Sequence, residues 1–146
     1  MINTWVELTT QFTLVNSFTK SSGFTPGVTY QFRVRAKNSI DYGTYSSTIS
    51  LTPMSVPSKM AAPTTEISNV YVKITWVNSN LNGGSLVSHR VYVMKKDGTY
   101  NLENTYCSES DSGITSQKYC MIEMSHLTGT TYNLERGDLV VAKVQI

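Results

Sequence analysis

Two cysteines, two histidines and one Arg-Gly-Asp tripeptide are the side chains of this sequence whose types and spacing invite chemistry. Cys107 and Cys120 bracket a segment rich in Ser, Asp and Gly. A structural zinc site wants ligands in close pairs such as Cys-x-x-Cys, and the two cysteines are not so spaced. That leaves a disulfide across a polar loop or two unrelated buried thiols. A disulfide there stabilises by on the order of 3 kcal/mol in the loop-entropy picture. Arg136, Gly137 and Asp138 spell the tripeptide that integrins bind when it is displayed on an exposed loop. His89 falls in the inward phase of an alternating stretch, where a core imidazole is the expectation, and His126 stands alone. Nothing in the spacing of Ser88, His89, Asp97 and Asp111 converges on one pocket, so no catalytic residue, cofactor or metal is expected. Tyr71 and Tyr92 are candidates for a sugar-stacking platform if they face outward on neighbouring strands.

The elements that must position these residues read as strands. From Tyr30 to Lys37 every second residue is apolar, putting Tyr30, Phe32, Val34 and Ala36 on one face and the charges on the other. Residues 38–45 have turn composition, and residues 46–51 can return as a partner before Pro53 stops them. Residues 4–8 and 10–15 are two earlier β candidates. Residues 53–63 carry three prolines and suit a stiff connector. Beyond it, Val70, Val72, Ile74 and Trp76 alternate with polar neighbours, as do His89, Val91 and Val93, whose stretch ends in the hairpin signal Asp97-Gly98. Residues 119–124 form another short strand, and Val140, Ala142, Val144 and Ile146 alternate after the Gly137 turn. No stretch has convincing helical periodicity.

Composition agrees with this reading. Charged residues make up 15% of a chain with net charge +2, and the twelve Lys and Arg are scattered, so nothing tracks a nucleic-acid backbone. No apolar run is long enough to insert in a bilayer as a helix, and residues 1–20 lack the basic start and apolar core of a signal peptide. If the parent protein is secreted, its signal is expected outside this segment.

Residues 23–39, GFTPGVTYQFRVRAKNS, resemble the closing half of a fibronectin type III module. That family has a Leu-x-Pro-Gly-x-x-Tyr corner, a strand ending in Ala-x-Asn and a Gly-containing hairpin. Phe24 (for Leu), Pro26, Gly27, Tyr30, Ala36, Asn38, Gly43 and Ser46 match. The later part resembles the start of the next module, with Pro57 and Pro63 leading into a strand ending at Trp76, then Gly84. It departs where Val140 replaces the corner tyrosine and His89 a core tyrosine. Its Cys-bearing insertion resembles those of large tandem-module surface proteins of ciliates.

The resemblance implies an all-β chain of tandem immunoglobulin-like, fibronectin type III β-sandwiches. Residues 1–53 are then the C-terminal half of one module, 54–63 a linker, and 64–146 a second module lacking its final strand. The expected core is Tyr30, Phe32, Trp76, Val91 and Val144. In the family's adhesive modules the tripeptide lies between the last two strands. Here it enters the penultimate one, and Gly137 aligns with the turn-forming Gly27, so a structural turn is expected. The function implied is an extracellular or cell-surface spacer or fibre element without catalysis. Its partners would be neighbouring modules or subunits, joined through unfinished sandwich ends. The alternatives are a carbohydrate-binding accessory module of a larger enzyme, with glycans or surface proteins as partners, and an Arg-Gly-Asp adhesion module.

Overall fold

The structure is a computed structural model and describes residues 4–9 and 17–146. In chain order its elements are β1 (Tyr30–Phe32), β2 (Ile49–Leu51), β3 (Thr64–Ser68), β4 (Tyr71–Thr75), β5 (Arg90–Met94), β6 (Tyr100–Leu102), α1 (Ser112–Gln117), β7 (Tyr119–Glu123), α2 (Met124–Leu127) and β8 (Ala142–Gln145). The protein is all-β: its strands form antiparallel sheets ordered β1-β2, β3-β4-β7 and β6-β5-β8.

The β1-β2 ribbon pairs Tyr30 with Leu51 and Phe32 with Ile49. Its ladder continues toward the turn, where Ser46 N–H donates to Val34 O (2.8 Å) and Gly43 N–H to Ala36 O (2.9 Å). Asn38 rounds the turn by accepting the N–H groups of Ile40 and Asp41 on Oδ1. Upstream, Gly27 takes φ +80°, and the Thr25 N–H donates to the Tyr30 hydroxyl at 2.8 Å. Phe24 packs edge-on against Tyr30 at 5.0 Å and lies 6.1 Å from Phe32. These three rings are half-buried, whereas Val34, next in the same phase, is 72% exposed. On the opposite face Arg33 lies between the rings of Trp5 (3.9 Å) and Tyr45 (3.8 Å), and Arg35 lies over Tyr42 at 3.9 Å. Residues 4–8 are therefore not the strand expected: they belong to no sheet, and Trp5 covers Arg33. The strand expected at residues 10–15 lies outside the described residues.

Beyond the linker, period-two alternation determines what is buried. Val72, Ile74 and Trp76 from the β4 side, Val91 and Val93 from β5, Ile122 from β7 and Val144 from β8 meet in one core. The chain interleaves the two sheets: β4 pairs β7 in register Ile74↔Cys120, and β5 pairs β8 in register Val91↔Val144. Val70, expected inward, is 62% exposed because it occupies the β3–β4 turn beside Asn69, whose φ is +55°. Two strands were not anticipated. β3 is exposed along nearly its whole length, and β6 is three residues long. Two helices also form. Asp111 caps α1 by accepting the Gly113 N–H, Lys118 ends it at φ +62°, and Ile114 fixes it to the core. At six and four residues, α1 and α2 are too short for helical periodicity to register.

The linker is held by hydrogen bonds as well as stiffened by proline. Ser55 and Ser58 N–H groups donate to Asn82 O and Asn80 O, and Asn82 Nδ2 donates to Val56 O. The Gly27 turn docks beside it, its N–H on Pro53 O at 2.8 Å. Gly83 faces Gly27 so closely that a Cβ on Gly83 would sit 3.0 Å from Pro53 O and 3.1 Å from Gly27 N. Only glycine fits this contact at φ +85°.

Candidate functional site

A buried polar cluster gathers around Glu103, a residue the spacing of motifs did not single out. Glu103 follows β6 in the inward phase and is 1% exposed. Its Oε1 accepts the N–H groups of Thr105 and Tyr106, both at 2.9 Å. Its Oε2 accepts from the Tyr132 hydroxyl at 2.5 Å and meets His126 Nε2 at 3.0 Å. Tyr132 is fully buried and also receives Asn101 Nδ2 at 3.4 Å. The His126 ring stands edge-on to Tyr106 at 5.0 Å and to Tyr132 at 5.5 Å.

Burial by itself pushes the Glu103 carboxyl up. The hydrogen bonds from Tyr132, the Tyr106 N–H, His126 and the Thr105 N–H outweigh it, and the net shift is downward. Burial is also the largest cause raising the Tyr132 phenol far above its ordinary range; the Glu103 charge adds to it against the Asn101 bond. The carboxylate is thus ionised with both oxygens doubly engaged, and the phenol is a fixed donor. Chemically this arrangement anchors: it ties β6, the 103–106 loop and the segment from α2 to Tyr132 together. To take a substrate proton, Glu103 would have to give up a donor it already holds. A signal was present, since Asn101 and Glu103 share the inward phase of β6 and polar residues there must find partners.

The sequence-derived candidates fall elsewhere. Cys107 and Cys120 form a disulfide, with Cα atoms 5.5 Å apart, both cysteines buried and α1 enclosed in the loop. Asp138 closes the turn of residues 135–138. Its N–H donates to Glu135 O, its Oδ2 accepts the Glu135 N–H at 2.8 Å, and its carboxylate takes Lys96 Nζ at 2.7 and 2.9 Å. The Lys96 ammonium and the Glu135 N–H hold that carboxyl below the usual range. Gly137 sits at φ +100° and Arg136 is exposed.

Trp76, Val91 and Val144 are buried in the second unit, and Tyr30 and Phe32 are half-buried in the first. His89 is buried against Trp76, with ring centroids 5.2 Å apart, and meets the Asn78 amide oxygen through Nε2 at 2.8 Å. Burial, helped by Lys118, lowers its pKa. Tyr71 and Tyr92 do not form a shared platform, because they stand on β4 and β5 in different sheets. Tyr92 instead shares the outer face of β6-β5-β8 with Tyr100 and Lys143, whose Nζ lies 4.1 Å from the Tyr100 ring centroid. Among the described residues, no group of three His, Cys, Asp or Glu side chains is placed to hold a metal, and no helix is long and apolar enough to cross a membrane.

No protein-family model matches the chain. Over 121 residues it is 34% identical to the Kelch domain-containing protein SSO1033 of Saccharolobus solfataricus. That stretch covers 82% of this chain but only 15% of the relative, so the chain spans a small part of that protein's length.

Proposed function

We propose that the chain is a non-catalytic, extracellular spacer: parts of two successive fibronectin type III-like modules joined by a fixed connector. The observation that carries this reading is the combination of strand orders β3-β4-β7 and β6-β5-β8 around one core. These two orders, with the chain passing from one sheet to the other and back, are consistent with the two facing sheets of such a module. The Thr25 N–H on the Tyr30 hydroxyl, with Pro26 and Gly27 between them, supports the same reading as a tyrosine corner. The step from fold to function is by analogy.

The name of the relative raises a Kelch domain. Kelch repeats build propellers from four-stranded blades, whereas β4–β7 and β5–β8 are pairings of non-consecutive strands in three-stranded sheets. The module reading is favoured for that reason. Engagement of Asp138 by Lys96 speaks against adhesion through the tripeptide, and separation of Tyr71 from Tyr92 speaks against the stacking platform. The disulfide suits an oxidising extracellular setting.

Small-angle scattering combined with a glycan-array screen tests the proposal. The expected result is one rigid two-unit envelope, unchanged by salt, with no saturable glycan binding. Freely tumbling units, or a specific glycan, would overturn it.

A further inference from the structure

Asn82 is the one asparagine of this sequence that precedes a glycine. That dipeptide has a chemistry of its own. The main-chain nitrogen after an asparagine can attack the side-chain amide carbon, and a Cβ on the following residue is the usual obstacle. Gly83 has no Cβ, and its N–H enters no hydrogen bond among the described residues. Both residues take left-handed φ values, +50° for Asn82 and +85° for Gly83. Asn38, Asn78 and Asn80, by contrast, precede residues that carry side chains.

The same dipeptide forms the joint between the two units. Asn82 Nδ2 donates to Val56 O at 2.8 Å and lies 3.5 Å from Ser58 Oγ, and Asn82 O accepts the Ser55 N–H at 3.2 Å. Gly83 fills the other side, where a Cβ would meet Pro53 O at 3.0 Å and Gly27 Cα at 3.1 Å. The Asn82 amide thus faces the linker, while Gly83 faces the Gly27 turn.

We propose that Asn82-Gly83 is a self-modification site whose reaction opens this joint. Gly83 N gives its proton to hydroxide and forms a bond to Asn82 Cγ. The Cγ–Nδ2 bond breaks, and Nδ2 leaves as ammonia with a proton from water. Water then adds to either carbonyl of the resulting imide ring. Opening at one carbonyl leaves aspartate in an unchanged main chain; opening at the other leaves isoaspartate, with the main chain rerouted through the former side chain. The net change is amide plus water to carboxylic acid plus ammonia, with no oxidant or reductant.

Both products work against the contact. A carboxylate oxygen in place of Nδ2 meets Val56 O as acceptor against acceptor, which removes the bond and adds repulsion. Isoaspartate also lengthens the main chain by a methylene where the clearance to Pro53 and Gly27 is already minimal. Contacts between units of one chain loosen more readily than the units themselves unfold. Because the bond to Val56 O restrains the amide, transient opening of the joint paces the reaction. This deepens the spacer reading and rests on its fixed connector: the spacer starts rigid and becomes hinged by a step that does not reverse.

Ageing the purified full chain at mildly alkaline pH, with mass mapping and small-angle scattering at each time, tests the site. Asn82, resolved from Asn78 and Asn80 by fragmentation, is expected to gain the mass of an amide-to-acid exchange ahead of every other asparagine. Aspartate and isoaspartate should both form, with ammonia released in equal amount. The fraction converted should match the fraction of chains that have lost the rigid envelope. Asn82→Asp should show that loss when fresh, and should it fail to fold, the aged wild type still supplies the converted chain. Gly27→Ala, whose Cβ would stand 3.2 Å from Gly83 N at a φ of +80°, should loosen the joint and speed conversion about fivefold. The proposal is overturned by an Asn82 that outlasts Asn38 or Asn78, by a converted chain that stays rigid, or by a Gly27→Ala chain that converts no faster. Freely tumbling units in a fresh chain with its amide intact would remove the fixed connector and this site's role together. A rigid fresh chain that keeps its amide on ageing removes the site alone, and specific glycan binding by a chain that converts and loosens removes the spacer reading alone.

Discussion

Replacing Glu103 tests whether the buried network holds the second unit together. Glu103→Ala removes the acceptor for two backbone N–H groups, for His126 Nε2 and for the Tyr132 hydroxyl. The N–H groups of Thr105 and Tyr106 lie near the surface and can be rewetted, so their loss is partly repaired. Tyr132 is fully buried and keeps only Asn101 at 3.4 Å, so its hydroxyl carries most of the cost. Leaving that buried hydroxyl without its charged acceptor should cost about 3 kcal/mol in urea denaturation at neutral pH, the upper end of the range for an unsatisfied buried donor. Glu103→Gln keeps an acceptor for the two backbone groups but offers a donor where two donors need an acceptor. It should cost about 1 to 3 kcal/mol. The carboxyl has a lowered pKa in the folded state, so its stabilisation is present above the unfolded carboxylate value of about 4.3 and is lost as pH falls through the lower folded value. The wild type should therefore lose stability more steeply below about pH 5 than Glu103→Gln does. A loss under about 1 kcal/mol for Glu103→Ala, or parallel acid profiles, would refute the anchoring role.

Five further variants have defined expected outcomes. Trp76→Ala empties the centre of the core and should cost about 3 to 5 kcal/mol, measured as a shift in the urea midpoint. Removing the Cys107–Cys120 bond by a double serine substitution should cost about 3 kcal/mol and speed amide exchange across α1. Asp138→Glu should leave cell adhesion unchanged, while Gly137→Val, at φ +100°, should destabilise by about 1 to 3 kcal/mol through backbone strain. Gly83→Ala should loosen the contact with Gly27 and Pro53, altering the scattering profile, and should also lower the second unit's stability by about 1 kcal/mol through strain at φ +85°.

Alternation determined much of this protein in advance. The inward phase at Val72, Ile74 and Trp76, and at His89, Val91 and Val93, is a property of neighbouring residues, and burial follows it directly. Turn chemistry is equally local: Asp97-Gly98 closes its hairpin with Gly98 at φ +82°, and Asn38 rounds its own. Pairing across distance is a different matter. That β4 lies beside β7 and β5 beside β8 depends on which apolar faces close over one another, and no local pattern encodes it. The same holds for Tyr71 and Tyr92, alike in sequence but placed on different sheets. Exposed β3 carries no alternation because one side of its backbone is paired while its side chains stay in water. Glu103, His126 and Tyr132 look like ordinary polar residues of three separate segments. Only folding brings them within hydrogen-bonding reach, where leaving any one unpaired in the low-dielectric interior would be costly.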